Sequence, residues 1–160
     1  EALIIVIPTA SSIPNEVSQN YLNAFGKLGC ENVHIMDIRN RTEAEDPLHL
    51  ELMKKADCVM FSGGDQSKIV QYIGGTELHK IIQKRYEKDE FVIAGTSAGA
   101  MCMSPRKLKH NNQKVVENGS PMSLTNLKTH ILANGDRLDI KKKKIKISPV
   151  HIEMTDAQAL

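Results

Sequence analysis

Phe91-Val92-Ile93-Ala94-Gly95-Thr96-Ser97-Ala98-Gly99-Ala100 decides the reading of this chain, because a short apolar run passes without a break into glycine, serine and alanine. An apolar run of that length bounded by glycine reads as a buried strand. Three more runs read as strands. Leu3 to Ile7 is β-branched, continuous and closed by Pro8, as a strand buried on both faces of a parallel sheet is, Asn32 to Met36 has Val33 and Ile35 alternating with His34, and Cys58 to Phe61 ends in Ser62-Gly63-Gly64-Asp65. Helices are predicted between them. Val17, Tyr21, Ala24, Phe25 and Leu28 recur at helical spacing before Gly29, and Asp46-Pro47 caps and opens a helix through Lys55. Gln66 to Tyr72 reads as a short helix stopped by Gly74-Gly75, and Thr76 caps another that carries Leu78, Ile81, Ile82 and Tyr86. Strands alternating with helices at this spacing imply parallel pairing through right-handed crossovers. The predicted fold is therefore α/β, an open, mostly parallel sheet in three layers with helices on both faces. Ligands of such sheets gather beyond the carboxyl ends of the strands, where both glycine turns, 62–65 and 95–99, fall.

Composition sets the class. The chain has 160 residues, 41% apolar and 25% charged, with a net charge of +2, which describes one soluble globular domain over 1–160. No apolar run approaches the ~18–20 residues of a membrane span, and Ala2 to Ile7 is too short and lacks the basic start of a signal peptide, so a cytoplasmic protein is expected. Cys30, Cys58 and Cys102 are odd in number, far apart and without a CxxC pair, which reads as buried thiols and suggests neither a disulfide framework nor a zinc site. Aromatic residues make up 4% of the chain and tryptophan is absent, so stacking platforms for single-stranded nucleic acid are largely lacking.

Beyond the parallel core, 3–104, the chain changes character. A polar connection at 105–120 leads to closing β strands over 121–148 and a tail from 149. Alternation returns in Leu127, Thr129 and Ile131 and again in Ile140, Ile145 and Ile147, with Asn134-Gly135-Asp136 as the turn, so an antiparallel β appendage is predicted. Lys141 to Lys144 with Lys146 is read as a solvated strand face in preference to a phosphate stripe, since 21 basic residues are balanced by 19 acidic ones.

Gly95-Thr96-Ser97-Ala98-Gly99 fits G-x-S-x-G, in which small neighbours let the backbone fold sharply from strand to helix and leave the serine hydroxyl exposed. The bare pentapeptide is expected by chance in on the order of one chain in twenty of this length, so its surroundings carry the argument. Ser97 is the candidate nucleophile, and the amide of Ala98 is placed to donate to a developing oxyanion. The glycine pair Gly63-Gly64 ends the preceding strand on the same edge and suits a second donor. A base and an acid are needed as well. His34, His49 and His79 precede the turn on a strand or helices and read as structural. His110, His130 and His151 follow it without a distinctive setting, and nothing in the spacing selects among Glu117, Asp136, Asp139, Glu153 and Asp156.

Gly95 to Met101, Phe61-Ser62-Gly63-Gly64-Asp65-Gln66, Pro8-Thr9-Ala10-Ser11 and Ile73-Gly74-Gly75-Thr76-Glu77-Leu78 together resemble the cyanophycinase and peptidase E family of serine peptidases, peptidase family S51. The resemblance implies a fold akin to class I glutamine amidotransferases, flavodoxin-like, with no metal or cofactor, a cytoplasmic setting and in many members a homodimer. It implies hydrolysis of cyanophycin, a polyaspartate bearing arginines, to β-aspartyl-arginine. It makes Ser97 the catalytic residue, Gly64 and Ala98 the oxyanion hole, and Gly63, Asp65 and Gln66 the substrate-binding residues. The partner is then a peptide of aspartyl-arginine type, with no nucleic acid and no membrane. Against the family pattern, an N-terminal strand and the histidine-bearing segment expected between Ser104 and Ser120 lack counterparts. A degenerate product and a joining of pieces of a longer one both account for this, and turnover by the chain is expected to be impaired. Two other functions compete: an inactive, peptide-binding remnant, and a small-molecule-binding doubly wound domain. The second is disfavoured because neither turn matches G-x-G-x-x-G or a P-loop.

Overall fold

The apolar run at the head of the chain becomes the middle of the sheet. In the computed structural model, which describes residues 1–103 and the backbone of 136–141 and 144–149, β1 (Ile4–Ile7) is buried along its whole length. It pairs in parallel with β2 (Val33–Ile35) on one side and β3 (Cys58–Phe61) on the other. β4 (Val92–Gly95) joins the outer side of β3, giving the order β2-β1-β3-β4. Four β-branched residues in a row suit β1, because stiff side chains pack well on a pleated surface covered on both faces.

The helices follow as expected, with small shifts at their ends. α1 (Pro14–Lys27) connects β1 to β2, and a 3-10 turn at Glu43–Glu45 with α2 (Pro47–Lys55) connects β2 to β3. α3 (Gln66–Ile73) and α4 (Glu77–Lys88) lie between β3 and β4, and the short α5 (Ala98–Met101) follows β4. Right-handed crossovers stepping one way to β2 and the other way to β3 and β4 put α1 on one face and α2 and α4 on the other. α2 and α4 indeed pack together. The expected open α/β fold is thus present, and its strand order is the flavodoxin-like one, with the reversal of direction between β1 and β3.

Phe61, Ile5, Ile7, Met36, Ile38, Met53, Ile69, Ile73, Leu78 and Ile82 are fully buried between these layers. Each such side chain contributes about 1.5–3 kcal/mol when removed from water. Polar groups close the helix ends. Asp46 accepts from the Leu48 amide at 2.7 Å with Pro47 behind it, and Arg85 donates to the carbonyls of Met53 and Ala56 at the end of α2 while lying over the Phe91 ring. Of the three thiols, Cys102 is buried whereas Cys30 and Cys58 are half-buried, a correction to the expectation of three buried ones; both of the latter sit near the amino-terminal edge of the sheet. Among the described residues no helix is long and apolar enough to cross a membrane.

Contacts divide the chain into two compact units, Glu1–Leu127 and Lys128–Leu160. In the second, β5 (Asp136–Lys141) and β6 (Lys144–Pro149) form an antiparallel pair, as an antiparallel appendage requires. Of the expected turn at Asn134-Gly135-Asp136, Asp136 is the first residue of β5, opposite Pro149, while Asn134 and Gly135 lie outside the described residues; a further reversal falls between the register partners Lys141 and Lys144, so the alternation read through Ile140, Ile145 and Ile147 belongs to two strands. The reason is cross-strand pairing. Reversal there sets Leu138 opposite Ile147 and Ile140 opposite Ile145 in register, which a single strand running through Ile140 and Ile145 does not provide. The connection at 105–120, the strand expected at Leu127 to Ile131 and the tail beyond Pro149 lie outside the described residues.

His79 yields a prediction. It is buried at the start of α4, where the Gly75 amide donates to its Nδ1 at 3.0 Å, so the ring is neutral with its proton on Nε2. Burial pushes its pKa below the ordinary 6.5. A depressed folded-state value means that the unfolded chain binds the proton first as pH falls. Stability is therefore expected to be full above pH about 6.5 and to decline as pH drops below it. His79→Gln should flatten that decline, as read by urea denaturation across the window.

Candidate active site

Three consecutive carboxyl ends in the sheet, those of β1, β3 and β4, build one edge. Each is tied sideways to the next by backbone. The Ser62 amide donates to the Ile7 carbonyl at 3.1 Å, the Thr96 amide to the Phe61 carbonyl at 3.1 Å, and the Asp65 amide reaches back to the Ala10 carbonyl at 2.9 Å. The β1 end closes on itself through the Ser11 amide, which donates to the Pro8 carbonyl at 2.9 Å. Pro8 to Ser11, Ser62 to Gln66 and Gly95 to Ala98 are thereby held on one edge, beside the strand-order reversal where ligands of open sheets bind.

Ser97 stands in the turn from β4 to α5 with φ 48° and ψ −112°, and among the described residues it is the one non-glycine with positive φ. Such a conformation costs about 1–3 kcal/mol and persists where the surroundings impose it. They do so by contact. A Cβ on Gly95 would meet the Gly99 backbone at 2.5 Å, and one on Gly99 would meet the Phe61 carbonyl at 2.3 Å, so both glycines of G-x-S-x-G are required by backbone against backbone. Ser97 is left exposed at the tip, while Ala98 and Gly99 behind it are buried.

Gly63 lies against this tip, since a Cβ there would stand 3.5 Å from the Ser97 Cβ and 3.5 Å from the Thr96 carbonyl. Gly64 has φ +136° and its absent Cβ would overlap the Ala10 carbonyl at 2.1 Å. Neither the Gly64 amide nor the Ala98 amide has an acceptor among the described residues. Asp65 caps α3, its Oδ1 accepting from the Ser67 amide at 2.8 Å and hydroxyl at 2.6 Å, and these bonds hold its carboxyl below the ordinary carboxylate range. Gln66 is the exposed first residue of α3. All six candidate residues thus fall on the β3 and β4 ends.

Sequence reasoning missed Tyr21 and Thr96. Helical spacing makes Tyr21 an apolar position, yet its hydroxyl is 2.8 Å from Thr96 Oγ1, immediately before Ser97. Val17, Asn20 and Ala24 of the same helix join Tyr21, Gly63 and Thr96 around an open cleft of about 470 Å³. Helical periodicity reports which face is buried and carries no sign that a tyrosine tip reaches a turn 75 residues away.

No histidine among the described residues is hydrogen-bonded to Ser97. His34 is exposed on β2, the far edge strand; His49 Nδ1 meets the Glu43 carbonyl at 2.8 Å; His79 is engaged with Gly75. His110, His130 and His151 lie outside the described residues, as do Glu117, Glu153 and Asp156. Cys102 is no competing nucleophile, because burial pushes its thiol up to about 12 and its Sγ points to the Gly99 carbonyl at 3.0 Å.

The model of peptidase family S51 matches residues 1–134. Cyanophycinase of Geminocystis herdmanii is 32% identical over 103 residues, which are 64% of this chain and 38% of that protein. Cyanophycinase of Trichormus variabilis is 34% identical over 103 residues, 64% of this chain and 35% of that one. The chain therefore spans less than two-fifths of the length of these curated relatives. Among solved structures, a peptidase from an acI-B1 actinobacterium is 30% identical, with a TM-score of 0.58 over 64% of this chain and 43% of that one. A putative peptidase E protein from Listeria monocytogenes superposes with a TM-score of 0.64 over 94% of this chain and 87% of its own at 16% identity, a likeness of fold.

The packing at Gly64 sets a second prediction. Gly64→Ala combines a positive φ with a backbone overlap and is expected to cost at least about 2 kcal/mol. Gly26→Ala, in α1 with nothing within 4 Å of the new methyl, is expected to stabilise by about 0.5–1 kcal/mol. Equal midpoints for the two variants in urea would contradict this account of the turn.

Proposed function

The chain belongs to peptidase family S51, and on that premise we propose that it is a serine-type peptidase that cleaves aspartyl or isoaspartyl-arginine bonds with Ser97 as its nucleophile. The observation that carries this reading is the positive φ of Ser97 at a strand-to-helix turn, with Gly63 beside it and, on the same edge, two amides without an acceptor among the described residues. Ser97 Oγ attacks the substrate carbonyl and gives its proton to a base. The oxyanion takes hydrogen bonds from the amides of Gly64 and Ala98, the amine leaves with the proton, and water then releases the acyl group. Gly63 keeps the approach to Ser97 open by having no side chain. Asp65 sets the start of α3, and Gln66 offers its amide to the substrate. The base is sought among His110, His130 and His151. The relatives that carry the name cyanophycinase support the arginyl substrate. Three free thiols fit a reducing, cytoplasmic compartment.

The 160-residue chain should react with a fluorophosphonate, and mass mapping should place the adduct on Ser97; Ser97→Ala should abolish both labelling and any turnover of β-aspartyl-arginine with the fold intact. Absence of an adduct would favour the peptide-binding reading over the enzymatic one. Separate His110→Ala, His130→Ala and His151→Ala variants identify the base, since loss of the base in a comparable serine enzyme costs on the order of a millionfold in turnover. Gln66→Ala is expected to lower kcat/KM by ~1–3 kcal/mol with little change in melting temperature, and an unchanged value would put Gln66 outside the site.

A further inference from the structure

Arg39 lies far in sequence from every residue of the candidate site, yet its side chain reaches the β1 end. Nη1 donates to the Ser11 carbonyl at 3.0 Å and to the Thr9 carbonyl at 3.4 Å, so one guanidinium nitrogen brackets Ala10 from both sides. The guanidinium is itself held. Nε lies 2.7 Å from Asp37 Oδ1, and the Arg39 amide donates to Glu43 Oε2 at 2.6 Å. The carbonyl between the two that Arg39 grips, that of Ala10, accepts from the Asp65 amide at 2.9 Å and is the atom that a Cβ on Gly64 would strike.

We propose that Arg39 is a positioning residue: by fixing the carbonyls of Thr9 and Ser11 it fixes Ala10, and Ala10 fixes the direction of the Gly64 amide. The proposal rests on the reading of Ser97 as nucleophile and Gly64 as oxyanion donor. Two features separate it from a merely structural role. Arg39 Nη2 and Thr9 Oγ1 are buried without partners among the described residues, an arrangement that costs stability. And Ala10, between the two gripped carbonyls, is tied directly to the β3 turn through the Asp65 amide at 2.9 Å. A planar guanidinium can lie against two carbonyls while its Nε keeps Asp37, which the single, strongly hydrated ammonium of lysine does not reproduce.

The test is the second-order rate of fluorophosphonate labelling at Ser97 in the full chain, with melting temperature measured alongside. Arg39→Ala is expected to label between about tenfold and about a hundredfold more slowly than the parent, the range that small misplacement of a catalytic group produces. Millimolar guanidinium is expected to restore the rate in Arg39→Ala and leave the parent unchanged. Arg39→Lys is expected to be slow as well, and it decides the matter if Arg39→Ala does not fold. Labelling of both variants at the parent rate overturns the positioning role and leaves Ser97 standing. A slow rate that guanidinium does not restore, falling in step with melting temperature, makes Arg39 structural and also overturns it. Failure of the parent to label overturns the reading of Ser97 and this inference with it.

Discussion

At three strand ends, backbone meets backbone with no room for a Cβ: Gly99 against the Phe61 carbonyl, Gly95 against Gly99, and Gly64 against the carbonyl of Ala10. These approaches are possible because β1, β3 and β4 run parallel in adjacent register, so that Ile7, Phe61 and Gly95 end at one level. Everything on the edge depends on that. The approach at Gly99 imposes the positive φ of Ser97, and the Gly64 amide, beside the Ala10 carbonyl, has no acceptor among the described residues. The buried aliphatic layers beneath fix the strands and so supply the rigidity that a turn strained by about 1–3 kcal/mol requires.

The strands and helices of the first hundred residues were legible because each signal had a single physical origin. Ile4 to Ile7 is apolar on both faces because both are covered, and Asp46-Pro47 and Thr76 opened helices because their oxygens accept from free amides at a first turn. G-x-S-x-G was legible for the same reason, since its glycines answer to backbone contacts that any side chain would block. Alternation alone was not enough in the second unit. It joins Ile140, Ile145 and Ile147 in one run, whereas the register of Leu138 with Ile147 and of Ile140 with Ile145 divides that run between two strands.

The contacts that the sequence hid are those made by side-chain tips across long separations. Tyr21 and Arg39 carry no local signature of their role: the first sits on an ordinary amphipathic helix and the second follows a strand in a run of charged residues. Their hydrogen bonds reach Thr96, Thr9 and Ser11, and depend on which strand lies beside which. Periodicity predicts that helices cover the sheet. It does not order the strands, and it is the pairing of β2 with β1 that brings the segment after β2 next to the loop after β1.

A site assembled in this way divides its labour unevenly between backbone and side chains. Amides held by glycine turns have no pKa in the working range and no rotamer to choose, so whatever charge stabilisation they offer is insensitive to pH and built in when the sheet forms. Proton transfer has to come from a titratable side chain, and among the described residues His49 and His79 are bonded to the backbone of Glu43 and Gly75, His34 lies on the far edge strand, Asp65 is held ionised by Ser67, and Cys102 is held protonated by burial. The described part of the edge thus offers the polarising half, with the Gly64 and Ala98 amides free beside the exposed Ser97 and no histidine bonded to that serine among the described residues.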